Sequence, residues 1–234
     1  MNPVAIFRHS PTEGPGYFAI FLETHRIPWQ LIAIDRNDPL PQSAEAFSGL
    51  CFMGGTMSVN DSLPWIPAVC DLILEAYQKD LPVIGHCLGG QLLSKALGGS
   101  IQKNPTPEIG WGKIQANSET PTRHWLGDLA GKALDVFQWH SETFSLPEGA
   151  ALLASSAFCP QQIFAVGPHL GMQCHIEMLP EMIHTWCAHW SAPETPCAAI
   201  ATPEEILRAL PEKLPALRKT ANQLYGMWLQ GLRP

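Results

Sequence analysis

The chain has 234 residues, 46% hydrophobic and 15% charged, with a formal net charge of −7. That length buries the core of one large domain, or of one domain with an appendage. The acidic balance without a Lys/Arg stripe excludes nucleic acid as the main partner, and no apolar run approaches the ~20 residues of a membrane span.

Val4–Arg8 and Gln30–Asp35 read as strands, joined by a helix over Tyr17–His25. No basic n-region or cleavage site precedes the first strand, so no secretory signal is expected. Gly49 to Gly55 is a buried strand that ends in paired glycines, Gly54 and Gly55. Ile66–Lys79 carries Ile66, Val69, Leu72, Ile73 and Ala76 at the spacing of one helix face. Next, the apolar run from Leu81 passes through Gly85-His86-Cys87-Leu88-Gly89 into a helix over Gln91 to Leu97, which ends at Gly98-Gly99. This strand–helix alternation predicts a mostly parallel sheet covered on both faces.

The second half changes character. Ile109–Ala116, Ala133–Trp139, Ala151–Ser155, Gln162–Gly167 and Gly171–Ile176 are expected as short strands, forming hairpins appended to the parallel sheet. Pro180–Trp190 reads as a helix. A Pro-rich break, Ser191–Pro196, separates it from two helical segments, Pro203–Leu210 and Leu214–Leu229. The expected organisation is one α/β domain over 1–190 and a helical appendage over 191–234, packed on the core or on a partner. The seven cysteines (51, 70, 87, 159, 174, 187 and 197) form an odd set without a CxxC pair. Such a set predicts reduced thiols and a cytoplasmic location.

One cysteine stands in a reactive setting. Glycines two before and two after Cys87 are what a sharp strand-to-helix elbow requires, because side chains there would clash. The elbow lifts the sulfur clear of the sheet and aims a helix N-terminus at it, which favours an anion. A cysteine nucleophile needs a base and a group to orient that base. Among the nine histidines, His175 is followed two residues later by Glu177. On a strand, side chains at i and i+2 share a face, so Glu177 can fix the tautomer of His175. Attack on a carbonyl also needs N–H donors for the oxyanion. Leu88 at the helix start and the glycine loop at Gly54-Gly55 are the candidates. His86 points away from its neighbour Cys87 and reads as part of the elbow. His184 and His189, five apart on a helix, have poor metal spacing, so neither a metal nor a cofactor is expected. Trp139 beside His140 is a candidate pocket wall.

Together the Gly85-x-Cys87-x-Gly89-x-Gln91 elbow, the glycine pair at 54–55 and Gly171-x-Gln173-x-His175-x-Glu177 resemble the class I (triad) glutamine amidotransferases. The stretches Gly54–Asp61 and Trp139–Phe144 are similar to a branch near the glutaminase domain of GMP synthase and to γ-glutamyl peptidase-like proteins. The resemblance implies a flavodoxin-like doubly wound α/β fold, with Cys87 as nucleophile, His175 as general base and acid, and Glu177 as orienter. It further implies Gly55 and Leu88 as the oxyanion N–H groups. Gln91 would help hold the glutamine, and the backbone around His140-Ser141 would bind its amino-acid end. The implied reaction breaks the side-chain amide of glutamine, or a related γ-glutamyl amide, through a thioester and releases ammonia. The implied partner is a separate synthetase subunit or a second copy in a homodimer. A self-sufficient γ-glutamyl peptidase or transpeptidase uses the same thioester; a non-catalytic scaffold would not need all three residues. Two positions depart from the family pattern: Ile176 stands where proline is common between His and Glu, and Thr56 where proline often follows the glycine pair.

Overall fold

The computed structural model describes residues 1–191 and 197–233. Of the expected Pro-rich break, 191–196, all but Ser191 lies outside the described residues. Strands β1 (Val4–Arg8), β2 (Trp29–Ala33), β3 (Gly49–Phe52) and β4 (Val83–His86) alternate with helices α1 (Gly16–Thr24) and α2 (Trp65–Gln78). After α3 (Leu88–Ala96) come β5 (Ile101–Ala116), α4 (Thr120–Leu126), β6 (Ala133–Phe144) and β7 (Ala151–Ser155). The chain ends with β8 (Ile163–Val166), β9 (His169–Met172), α5 (Pro180–Ala188) and α6 (Pro203–Leu229).

All strands join one nine-stranded sheet in the order β2-β1-β3-β4-β9-β8-β7-β5-β6. The first five run parallel, and β9 then pairs antiparallel with β8 to begin the hairpin half. The parallel order is the flavodoxin-like one that the resemblance implies. Alternate residues of each strand enter opposite cores. Val4 and Ile6 pack with Phe18 of α1 and with α6, whereas Ala5 and Phe7 pack with the apolar faces of α2 and α3. Burial on both faces explains why β1, β3 and β4 read as continuous apolar runs.

The main differences from expectation are these. First, β5 and β6 are long rather than short, at 16 and 12 residues. Pro105 and Pro107 lie inside β5, where a register shift between Lys103 and Glu108 accommodates them. Second, β9 ends at Met172, not Ile176; His175 is tied to β6 instead by an isolated bridge to Phe137. Third, α4 was not legible, being a single short helix of 7 residues. Fourth, the two expected C-terminal helices are one helix of 27 residues that runs through Pro211 and Pro215.

Helix α6 begins with a capping box, in which Thr202 Oγ1 accepts from Glu205 N–H and Glu205 Oε2 accepts from Thr202 N–H. A proline inside a helix costs about 3 kcal/mol, and tertiary packing outweighs that here. Leu217, Ala221, Leu224, Tyr225 and Trp228 are all buried in the same core as β1 and α1. No helix among the described residues is long and apolar enough to cross a membrane.

Trp228 is 1% exposed, and its ring closes on Gly49 at the start of β3. Trp228→Ala is expected to lower unfolding stability by about 3–5 kcal/mol, read from urea midpoints at constant m-value. A loss below about 1 kcal/mol would show that α6 is not part of the cooperative core.

Candidate active site

The turn from β4 to α3 has the predicted elbow. Cys87 has φ 49° and ψ −107°, a conformation side chains rarely adopt. A Cβ on Gly85 would collide with the backbone of Gly89, and one on Gly89 with the backbone of Phe52. Cys87 N–H donates to the Met172 carbonyl at 2.8 Å, which anchors the elbow to β9.

The chain leaving β9 brings the other two residues to the sulfur. His175 exchanges backbone hydrogen bonds with Phe137, 2.8 and 3.1 Å long. Its Nδ1 lies 2.6 Å from Glu177 Oε1, and Glu177 Oε2 accepts from Ile176 N–H at 2.9 Å. A carboxylate can only accept, so Nδ1 carries a proton and Nε2 is the nitrogen not engaged by Glu177. The Cys87 side chain lies near enough to the imidazole to add to the rise of its pKa. The i and i+2 side chains therefore meet as expected, although outside a regular strand.

Burial works against charge on both members of the pair. For His175 that penalty is overridden by Glu177 and Cys87, which hold the imidazole well above its ordinary pKa. Burial likewise pushes Glu177 up, but His175 and then His86 bring it down to about 2. His86 points away from Cys87, as its position predicts. Its Nε2 lies 2.9 Å from the Tyr225 hydroxyl of α6 and 4.0 Å from Glu177 Oε2.

The oxyanion candidates are neighbours: a Cβ on Gly55 would come within 2.5 Å of Leu88 Cδ2. Among the described residues neither backbone N–H has a hydrogen-bond acceptor. His9, at the end of β1, sets this loop by hydrogen-bonding Met53 O through Nδ1 at 3.0 Å. Burial lowers its pKa to about 4, so the ring is neutral at pH 7 and Nδ1 is the donor.

Cys87, Gly55, Gln91, His140 and Ser141 all line one cavity of about 750 Å³. Gln91 Nε2 donates to Gln173 Oε1 at 3.2 Å, and Gln173 Nε2 approaches Cys87 Sγ at 3.6 Å. The His140 ring is occupied within the protein, by Glu108 Oε2 at 3.2 Å and Glu142 O at 2.9 Å. His140 and Ser141 nevertheless line the cavity. Glu108, His140 and Cys159 converge closely enough to hold a metal ion. Glu108 Oε2, however, already accepts from Gln162 Nε2 at 2.7 Å and Ser156 Oγ at 3.0 Å, so the cluster ties β5, β6 and the β7–β8 turn together.

Residues 22–186 match the family described as glutamine amidotransferase class-I. The chain belongs to that family. It is 32% identical over 189 residues to YfeJ, a glutamine amidotransferase-like protein of Salmonella typhimurium, covering 77% of this chain and 78% of that one. With γ-glutamyl peptidase 3 of Arabidopsis thaliana it shares 28% over 177 residues, 72% of this chain and 71% of the relative. A glutamine amidotransferase crystal structure from Methylobacillus flagellatus superposes with a TM-score of 0.94 at 40% identity, covering 100% of this chain and 96% of that one.

The class I amidotransferase cavity here also contains a carboxyl that sequence reasoning missed. Glu13, in the β1–α1 loop, lines the cavity and is only 7% exposed. Its signal was position alone, an acidic residue just past the C-terminal end of a parallel strand, where open sheets bind ligands. Burial raises its pKa from 4.5 to about 7; His175 opposes the rise and Glu177 adds to it. A carboxyl raised in the fold contributes stability that is complete below pH ~4.5 and lost as pH rises through ~7. Glu13→Gln is therefore expected to be more stable than the wild type at pH 8, by as much as about 3 kcal/mol. At pH 4 the two should unfold together. Equal urea midpoints at both pH values would contradict the burial of this charge.

Proposed function

We propose that this class I amidotransferase hydrolyses γ-glutamyl amides, glutamine among them, through a γ-glutamyl thioester on Cys87. The observation that carries the reading is the buried Cys87–His175–Glu177 alignment, set beside the unbonded N–H groups of Gly55 and Leu88. His175, whose raised pKa favours the imidazolium, holds the thiol proton on Nε2 as Sγ attacks the γ-carbonyl carbon. The carbonyl oxygen becomes an anion held by the two N–H groups, a form of stabilisation worth ~10²–10³-fold per donor. His175 then returns the proton to the leaving nitrogen, the C–N bond breaks, and ammonia or an amine departs. Water, deprotonated by the same imidazole, cleaves the thioester to glutamate and restores the thiol. Glu177 stabilises the imidazolium formed in each half. In this reading Gln91 and the backbone at His140-Ser141 receive the amino-acid end of the substrate.

Two fates of the leaving group fit this chemistry. If the substrate is glutamine, the ammonia passes to a synthetase on another chain, or to an acceptor reached through a homodimer. If it is a γ-glutamyl peptide, the enzyme is complete in itself. The cavity favours the second reading, since about 750 Å³ falls within the ~300–1,000 Å³ that takes drug-sized ligands, more than one free amino acid fills. The likeness to γ-glutamyl peptidase 3 of Arabidopsis thaliana supports it too.

Steady-state kinetics on glutamine and on γ-glutamyl dipeptides, with Cys87→Ala alongside, test both levels. Glutamate release should fall about 10⁴-fold or more in Cys87→Ala, in line with the loss of other nucleophiles. Release that persists in the mutant would overturn the thioester. A kcat/KM for dipeptides above that for glutamine supports the peptidase reading, and the reverse order points to an ammonia donor.

A further inference from the structure

Glu13 has no part in the steps above, yet the fold maintains it under unfavourable conditions. It is 7% exposed, and among the described residues its carboxyl has no hydrogen-bond partner. A buried, unpartnered carboxyl is costly. Such groups persist where a ligand completes them, and this one faces the Cys87 cavity.

Its place within the cavity is defined by two neighbours. A Cβ on Gly54 would collide with Glu13 Oε2, and would stand 3.1 Å from His175 Cε1. The carboxyl therefore lies against the glycine that opens the oxyanion loop, on the Cε1 side of the imidazole. Cε1 is bonded to Nε2, the nitrogen not engaged by Glu177. In the proposed reaction the leaving nitrogen must come within reach of Nε2 to receive its proton. Glu13 flanks that volume, while Gln91 and His140-Ser141 account for the other end of the substrate.

Resting on the γ-glutamyl amide reading, we propose that Glu13 is a further catalytic residue, which accepts an N–H of the scissile amide and holds the leaving nitrogen as it becomes an ammonium. In the ground state that nitrogen is a neutral amide donor. When His175 transfers its proton, the nitrogen becomes tetrahedral and positive, until the C–N bond breaks with the electron pair staying on nitrogen. A carboxylate beside it binds this charged form more strongly than the amide, so the contact accelerates the step rather than only tightening binding. Glu13 itself gives and takes no proton. The same contact defines a substrate class: amides use it, whereas an ester has no N–H to offer and leaves as a neutral alcohol.

The test compares a γ-glutamyl dipeptide with a γ-glutamyl ester of similar size, using wild type, Glu13→Gln and Glu13→Asp. Assayed at pH 8, above the Glu13 pKa of about 7, Glu13→Gln preserves shape and removes charge. Its kcat/KM for the dipeptide should fall about 10²-fold, while that for the ester changes little, so the amide-to-ester ratio collapses. Glu13→Asp should recover part of that ratio. Equal losses on both substrates would overturn the proposal, because they would mean that Glu13 only supports the oxyanion loop. Unchanged dipeptide hydrolysis would overturn it as well. A wild type that shows no Cys87-dependent cleavage of either substrate would instead remove the γ-glutamyl reading on which the proposal rests.

Discussion

Taking a carboxylate out of water costs several kcal/mol unless partners replace the lost hydration. Glu177 is 1% exposed, and much of the fold is arranged to make that burial tolerable. The imidazole of His175 meets one oxygen, the Ile176 N–H meets the other, and His86 stands behind it. His86 is in turn bonded to Tyr225, which places α6 against the back of the catalytic group. The helix farthest along the chain thus supports the site through this bond, through Arg218 Nη2 donating to the Met178 carbonyl at 2.7 Å, and through an aromatic core: Phe18 of α1 packs edge-on against both Tyr225 and Trp228.

The second constraint is steric. Cys87 occupies its left-handed conformation because Gly85 and Gly89 let α3 press down onto the end of β3. The same approach brings Leu88 beside Gly55, so Cys87 and the two proposed oxyanion donors are assembled by one packing contact. His9 and Glu13 reach this point from β1, next to β3 in the sheet. Ligand chemistry therefore gathers at the C-terminal ends of β1, β3 and β4, the region where strand order reverses in an open parallel sheet.

Much of this was legible in the sequence because it depends on local pattern. Buried parallel strands show as apolar runs, the elbow shows as glycines at fixed distances from Cys87, and His175 and Glu177 are two residues apart. Even there the mechanism differed: a bridge to Phe137, not a continuing strand, positions His175. What stayed hidden depends on contacts distant in sequence. The His86–Tyr225 bond spans 139 residues, and no local signal marks Tyr225 as anything but a core aromatic. Pro211 and Pro215 read as a helix break because the packing that overrides them is tertiary. Glu13 looked like an ordinary loop acid until the fold buried it without a partner.

Stability and function pull in opposite directions at Glu13, a common pattern where a site must meet a ligand rather than its own chain. At Glu177 they agree. The account depends above all on Cys87 forming a covalent bond to the γ-carbonyl carbon. The most direct measurement is acid-quench mass spectrometry of the wild-type chain during turnover of a γ-glutamyl amide, followed by peptide mapping. The account predicts one γ-glutamyl group on the Cys87 peptide, removed by hydroxylamine and absent from the other six cysteines. Product formation with no adduct at Cys87, or with the adduct on another thiol, would contradict it.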